Sequence, residues 1–149
     1  MNIKELNQLL SYLDRQYSIN SGGCCYVAYL LAINLERLGI KFKLVVNSDN
    51  HYDASLLRKN IRNVQNNKHV QGCGRYTFNH YYIKVGNHYI NRGHYGVTTV
   101  IKNVTAKDIL NVYKSGCWND YYSTSNNPFI AKKISKFFLN YEKEKAEKN

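Results

Sequence analysis

The sequence predicts an α+β fold, in which helices pack on a small antiparallel sheet. Apolar residues recur every three or four positions over residues 3–15 and 24–38, which is the spacing of one helix face. Over residues 40–46 they recur at every second position, which is the spacing of a strand. Residues 76–91 are predicted to form a hairpin. These patterns together place a central helix, residues 24–38, on an antiparallel sheet.

The first two helices have predicted ends as well as predicted faces. The first helix has an apolar stripe of Ile3, Leu6, Leu9, Leu10 and Leu13. A polar segment, residues 16–23, follows it. Ser21 is expected to cap the second helix, because a serine oxygen accepts a hydrogen bond from a free N–H group at a helix start. Gly39 stands where a left-handed residue commonly ends a helix.

The middle of the chain alternates between helix, loop and strand. Asp53 is the predicted cap of a third helix over residues 54–65, which carries its own apolar stripe. Residues 65–75 are polar and predict a loop. Residues 97–101 are β-branched and predict a further strand. The sheet is therefore expected to contain the hairpin and at least two other strands.

Two more helices are predicted near the end of the chain. Residues 105–108 have the sequence of a capping box, and Gly116 is expected to end the short helix that they open. Asn127 followed by Pro128 predicts the cap and first residue of a final helix. The charged residues 141–149 are expected to fray.

Composition favours one folded domain over residues 1–140. The chain is 44% hydrophobic and contains one proline, which argues against a disordered protein. No run approaches the roughly 18 apolar residues of a membrane-spanning helix, so no membrane segment is expected. Residues 1–6 lack the apolar core of a secretory leader, and the expected location is therefore the cytoplasm.

Cysteine spacing and net charge restrict cofactors and partners. The four cysteines are expected to be reduced, and they contain no CxxC pair, so neither a structural zinc nor another cofactor is expected. The formal net charge is +11. The basic residues cluster in two groups: Arg58, Lys59, Arg62, Lys68 and Arg75, then Lys132, Lys133 and Lys136. This charge favours an acidic partner, with a solvated basic face as the alternative.

The start of the second helix is a predicted nucleophile site. Cys24 follows Gly22 and Gly23, whose bare backbone allows a substrate to approach closely. The free N–H groups and partial positive charge of a helix start favour a thiolate over a thiol. Cys24 shares the apolar helix face, whereas Cys25 lies about 100° around the helix. The alternative is that both cysteines are small buried apolar residues.

The predicted hairpin supplies a histidine and an asparagine. A two-residue turn at Gly86-Asn87 pairs Ile83 with Ile90 and Tyr82 with Asn91. Asn91 is then a diagonal neighbour of His80, and its amide oxygen can orient the imidazole for Cys24. The alternative is that His80 begins an exposed strand. His94 is the reserve candidate, and the remaining histidines are expected on other surfaces: His51, His69 and His88.

These residues together resemble the transglutaminase-like branch of the papain-like cysteine enzymes. Members read Gly-x-Cys followed by an apolar helix that ends in Leu-Gly-Ile, as Leu38-Gly39-Ile40 does here. The family histidine begins a strand, and an Asp ends the partner strand; His80 and Asn91 take these positions here, with the Asn that papain-type proteases use in place of the Asp. The resemblance implies a papain-like or transglutaminase-like core with a Cys24, His80 and Asn91 catalytic triad.

The resemblance implies acyl transfer through a thioester on Cys24, with His80 as general acid and base. A cysteine protease or amide hydrolase acting on a protein or peptide is the leading interpretation. The oxyanion needs the main-chain N–H of Cys24 and a side chain from Gln16 or Asn20. The full set of candidate oxyanion and substrate contacts is Gln16, Asn20, Gly23, Cys25 and Tyr82.

Three other functions remain open from the sequence. An amine in place of water as acyl acceptor gives a transglutaminase or another acyltransferase. The same fold without activity gives a basic module that binds nucleic acid or an acidic protein, with tyrosines available for stacking. An inactive relative that holds a target in its cleft is the third alternative.

Overall fold

The described part of the chain forms helices that pack on a four-stranded antiparallel sheet, which confirms the predicted α+β class. The computed structural model describes residues 1–20, 24–66, 80–114 and 127–148. Its helices within these ranges are α1 (Ile3–Tyr17), α2 (Cys24–Arg37), α3 (His51–Gln65), α4 (Ala106–Val112) and α5 (Pro128–Glu147). Its strands there are β1 (Lys43–Ser48), β2 (His80–Val85), β3 (His88–Ile90) and β4 (Val97–Ile101).

The four described strands form a sheet in the order β3-β2-β1-β4. Every pairing is antiparallel. Strand β1 is central, and its residues Leu44–Ser48 are all buried, which shows that both of its faces are covered. The strand predicted over residues 40–46 thus begins at Lys43 and ends at Ser48 instead. The central position of β1 in the sheet explains the difference. A strand that is buried on both faces lacks the alternation of apolar and polar residues from which its ends are predicted.

Helix α1 has the predicted apolar face, and helix α2 has the predicted end. Leu6, Leu10 and Leu13 of α1 are buried. Gly39 ends α2 with a φ of +71°, and the Ile40 N–H donates to the Leu35 carbonyl at 2.9 Å. The predicted left-handed end of α2 is confirmed. The predicted cap Ser21 and the neighbouring Gly23 lie outside the described residues.

Helix α3 begins earlier than predicted. It begins at His51, so Asp53 lies inside the helix instead of capping it. Strand β1 ends at Ser48, and the short connection of Asp49 and Asn50 leaves no room for a longer loop before the helix. Most of the predicted loop over residues 65–75, from residue 67 onward, lies outside the described residues, as does the first part of the predicted hairpin.

The predicted caps of α4 and α5 are confirmed. Thr105 Oγ1 accepts from the Asp108 N–H at 3.2 Å, and Asp108 Oδ2 accepts from the Thr105 N–H at 3.0 Å. Asn127 accepts from the Phe129 N–H at the start of α5. Helix α5 continues to Glu147, so residues 141–147 of the predicted tail are helical. The expected end at Gly116 lies outside the described residues.

Helix α2 occupies the centre of the molecule. Nine of its 14 residues are buried, and it packs against α4, α5 and β2. Packing on several sides explains the burial, because a single-face contact leaves half a helix exposed. The first residue of α2, Cys24, consequently lies in the core. Within the described ranges, none of the helices has both the length and the apolar character that crossing a membrane requires.

Candidate active site

Cys24 begins α2 and is 3% exposed. Burial raises the pKa of its thiol to about 11, because a thiolate loses its hydration there. The main-chain N–H groups of Tyr81, Cys25 and Cys24 lower the pKa by a smaller amount. The stabilising N–H groups expected at a helix start are therefore present, but desolvation outweighs them. Cys24 is a neutral thiol at pH 7.

The contact between Cys24 and Tyr81 positions the cysteine against β2. Tyr81 is the second residue of β2, and His80 is the first. Helix α2 packs on the same strand. The beginning of α2 therefore meets the beginning of β2, which brings the predicted nucleophile and the predicted base to one end of the helix–sheet interface.

His80 is held by the main chain on two sides. Its Nε2 lies 2.6 Å from the carbonyl oxygen of Asn91. A carbonyl only accepts hydrogen bonds, so Nε2 carries the hydrogen and Nδ1 is the basic nitrogen of the neutral ring. A Cβ built on Gly93 would stand 2.7 Å from Cδ2 of His80, which shows that the Gly93 backbone lies directly against the ring.

Burial lowers the pKa of His80 from its ordinary value of 6.5, because the imidazolium is poorly hydrated in this position. The Asn91 carbonyl and the Asp14 carboxylate oppose the shift, and His94 adds to it. The ring is therefore neutral at pH 7 and able to accept a proton at Nδ1. Asp14 also raises the pKa of Cys24, so one carboxylate acts on both groups.

Asn91 contacts His80 through its main chain and not through its side chain. Strand β3 ends at Ile90, and Asn91 leaves the ladder with a φ of +65°. The predicted Ile83–Ile90 pair forms, but Tyr82–Asn91 is not a pair of the ladder. Asparagine tolerates the left-handed conformation that ends the strand here. The interaction expected from the amide oxygen is thus made by the carbonyl of the same residue.

The Asn91 side chain instead forms a reciprocal amide pair with Asn20. Asn91 Nδ2 donates to Asn20 Oδ1 at 2.9 Å, and Asn20 Nδ2 donates to Asn91 Oδ1 at 3.2 Å. The Asn20 N–H donates to Asp14 Oδ1 at 2.9 Å. Asn20, a candidate oxyanion donor, is therefore fixed beside the residue that orients His80.

Helix α1 contributes a further residue that sequence analysis missed. Asn7 accepts from the Asn91 N–H at 2.8 Å and donates to the Tyr89 carbonyl at 3.0 Å. These bonds join positions more than 80 residues apart in the sequence. A single polar residue within an amphipathic helix gives no local signal of such a partner.

His80 faces a cleft with a volume of about 530 Å³. Its described lining is Asn20, Asn47, Asp49, His80, Arg92, Gly93, His94 and Tyr95. The lining includes the candidate oxyanion donor Asn20 and the reserve histidine His94. Cys24 is not among these described residues, in keeping with its burial. Within the described ranges, no group of three or more His, Cys, Asp and Glu side chains is arranged to hold a metal ion.

The other candidate contacts lie elsewhere. Gln16 is exposed in the last turn of α1 and is not among the described residues of the cleft lining. Cys25 is buried, with its Sγ 3.9 Å from the Ile109 carbonyl on α4. Tyr82 is buried beneath His80, whose ring stacks on it at 5.4 Å, and its hydroxyl donates to Asn47. Tyr82 thus supports the imidazole.

A second depression, of about 970 Å³, lies between the start of α1 and β3. Its described lining includes Lys4, Arg15 and His88 but no cysteine. The smaller cleft is the better candidate site because it contains His80, whose ring is fixed and whose strand contacts Cys24.

A comparison of the chain with protein-family models finds no match, and comparisons with curated proteins and with solved structures find none either. The candidate site therefore depends on its own geometry for a functional interpretation.

Proposed function

We propose that this chain is a cysteine-dependent amide hydrolase with a papain-like or transglutaminase-like core. Cys24 is the nucleophile, His80 is the general acid and base, and Asn91 orients His80. The observation that supports this most directly is the hydrogen bond from the Tyr81 main chain to Cys24, next to an imidazole fixed by Asn91. The order of Cys, His and Asn along the chain is also the order of the catalytic residues in papain-like cysteine enzymes.

In the proposed reaction, Nδ1 of His80 takes the Cys24 proton as Sγ attacks the carbonyl carbon of an amide. The proton passes to the leaving amine as the carbon–nitrogen bond breaks, which leaves a thioester. Water then attacks the thioester, His80 accepts a proton from it, and the carboxylic acid and free thiol are released. Asn20 uses one Nδ2 hydrogen for Asn91, so its second hydrogen is available to the oxyanion.

The resting pair in this mechanism is a thiol and a neutral imidazole. A pKa of about 11 leaves only about one Cys24 thiol in 10⁴ ionised at pH 7. Reaction near neutral pH therefore requires His80 to remove the proton. Without His80, the reactivity of Cys24 is expected to rise only as the pH approaches 11.

The alkylation rate of Cys24 against pH tests the proposal. Iodoacetamide labelling is followed for each cysteine by peptide mass spectrometry, in the natural protein and in His80→Gln. In the natural protein we expect the Cys24 labelling rate to rise in a step below pH 6.5, set by the lowered pKa of His80. In His80→Gln we expect the height of this step to be at least about 10-fold smaller. His88→Gln, at an exposed hairpin position, is the matched control and keeps the step.

Rates that rise only at high pH in both proteins would overturn the proposal and leave the basic binding module or the inactive relative. A step that depends on His80 supports a catalytic pair. A primary amine is then added together with a substrate that forms the Cys24 thioester, to identify the acyl acceptor. An amide product indicates an acyltransferase, and a carboxylic acid product indicates a hydrolase.

A further inference from the structure

Arg92 is placed in the cleft by residues that also hold His80. It lies between Asn91, whose carbonyl contacts Nε2 of His80, and Gly93, whose backbone lies against the same ring. Arg92 and His80 both line the cleft. A ligand group bound to the Arg92 guanidinium is therefore close to His80.

The Arg92 guanidinium is held in position by an aromatic ring. Its Cζ lies 4.5 Å from the centroid of the Tyr89 ring. This cation–π contact does not occupy a hydrogen-bond acceptor, so guanidinium N–H donors of Arg92 are available to a ligand. These donors match the two oxygens of a carboxylate. A preset orientation lowers the entropy lost on binding.

Arg92 has no ion-pair partner among the described residues; the ion pair found there joins Arg37 to Glu142. Asp49 also lines the cleft but does not pair with Arg92. The cleft thus presents an oriented cation without an internal anion bound to it. Asp49 opposes an incoming anion, so its removal is expected to strengthen anion binding.

We infer that Arg92 binds a carboxylate of the substrate, which makes the preferred substrate a peptide or protein with a Glu or Asp side chain beside the reacting acyl group. The inference rests on the proposed function for the reaction, but carboxylate binding at Arg92 is measurable without it. The excess of basic residues in the chain attracts the same class of substrate.

Iodoacetate and iodoacetamide are a matched pair of probes for this inference. Each forms a carbon–sulfur bond with Cys24 as the carbon–iodine bond breaks and iodide leaves, with the thiol proton passing to His80 and then to solvent. Only iodoacetate carries a carboxylate. We expect the ratio of the iodoacetate rate to the iodoacetamide rate at Cys24 to fall about 10-fold in Arg92→Gln. We expect the same ratio to rise in Asp49→Asn.

Lys84→Gln is the control for net charge. Lys84 Nζ also lies over the Tyr89 ring, at 5.3 Å, but Lys84 does not line the cleft. This variant loses the same charge as Arg92→Gln and is expected to keep the natural ratio. Equal ratios in the natural protein and Arg92→Gln, with the His80-dependent step intact, would overturn the inference and leave the proposed function standing.

A binding measurement tests the inference when Cys24 does not react. The probes are N-acetyl-glutamate N-methylamide and its glutamine counterpart. The side chain of the glutamate compound holds its sole carboxylate, and the glutamine compound has none. Chemical shifts of residues 91–95 are followed by NMR. We expect the glutamate compound to bind about 10-fold more tightly than the glutamine compound, and Arg92→Gln to abolish the difference. Equal binding of the two compounds would overturn the inference, as would tighter binding of inorganic phosphate.

Discussion

At the scale of single residues, the protonation of His80 is decided by one carbonyl group and by burial. The Asn91 carbonyl fixes the hydrogen on Nε2, and burial keeps the ring neutral at pH 7. Burial also favours the neutral form of Cys24, because it raises the pKa of the thiol. The environment therefore favours a neutral pair, and proton transfer between the two groups becomes part of the proposed reaction.

The lowered pKa of His80 predicts a loss of stability in weak acid. The unfolded chain binds a proton near pH 6.5, whereas the folded chain resists it, so the unfolded state holds more protons as the pH falls. The free energy of unfolding is therefore expected to decrease from about pH 7.5 to 5. Urea unfolding measures this decrease, which His80→Gln should reduce and His88→Gln should leave unchanged. An equal decrease in all three proteins would contradict the prediction.

Gly93→Ala tests the close contact between the cleft backbone and His80. The new Cβ would lie 2.7 Å from His80 Cδ2 and 2.9 Å from Asn47 Nδ2, so the ring has to shift. We expect the His80-dependent labelling of Cys24 to slow about 10- to 100-fold, and the free energy of unfolding to fall by about 1–3 kcal/mol. Both are measurable on the same preparation.

Gly39→Ala is the matched control for that variant. A Cβ at Gly39 meets no atom within 4 Å, but its φ is +71°. It is expected to lower the free energy of unfolding by about 1 kcal/mol through backbone strain while leaving Cys24 labelling unchanged. Natural labelling in Gly93→Ala would show that the ring accommodates the methyl group.

At the scale of secondary-structure elements, helix α1 holds the end of strand β3. Asn7 bonds both the Tyr89 carbonyl and the Asn91 N–H, and the Asn20–Asn91 pair adds a second connection just after the helix. The two Asn7 bonds satisfy main-chain groups at the end of β3. They also fix the Asn91 carbonyl on His80, which links helix packing to the state of the imidazole.

Asn7→Ala is expected to lower the free energy of unfolding by about 1–3 kcal/mol, because it removes the partner of two part-buried main-chain groups. The His80 step in the Cys24 pH–rate profile should also move, which a purely structural role for Asn7 would not cause. Urea unfolding and labelling measure the two effects.

Asn7→Asp separates the two bonds, because a carboxylate still accepts from the Asn91 N–H but no longer donates to Tyr89. Its effect should therefore be intermediate. Gln8→Ala, at an exposed neighbouring position, is expected to change stability by less than about 0.5 kcal/mol. A natural pH–rate profile in Asn7→Ala would contradict a positioning role.

At the scale of the whole molecule, apolar packing around α2 determines where the site lies. Helix α5 supplies Ile130, Ile134 and Phe138 to this core. The two helices are also joined by the Arg37–Glu142 ion pair at 2.7 Å, but both partners are exposed. Exposed ion pairs contribute at most about 1 kcal/mol, so burial of the apolar residues dominates the docking of α5.

Phe138→Ala and the adjacent Leu139→Ala test this conclusion. Phe138 is fully buried, and its removal is expected to lower the free energy of unfolding by about 3–5 kcal/mol. Leu139 is 49% exposed, and its removal should cost less than about 0.5 kcal/mol. Urea unfolding followed by circular dichroism measures both. Similar losses in the two variants would contradict the assignment of α5 to the core.

Sequence patterns located most elements because their signals are local. The capping box at Thr105, the left-handed Gly39 and the start of α5 at Asn127 each depend on residues within one turn. The predicted start of β1 is wrong because the burial of its residues depends on strands that are distant in the sequence. Asp53 was misassigned as a cap because the short connection after β1 was not visible in the sequence.

By itself, the sequence determined the α+β class, the hairpin pairing of Ile83 with Ile90 and the position of Cys24 at the beginning of a buried helix. Tertiary structure alone decided the Asn91 carbonyl contact with His80, the Asn7 and Asn20 bonds and the burial that makes Cys24 a neutral thiol. The physical reason is range: periodicity and caps act within a few residues, whereas desolvation and the meeting of polar groups depend on surfaces brought together from distant parts of the chain.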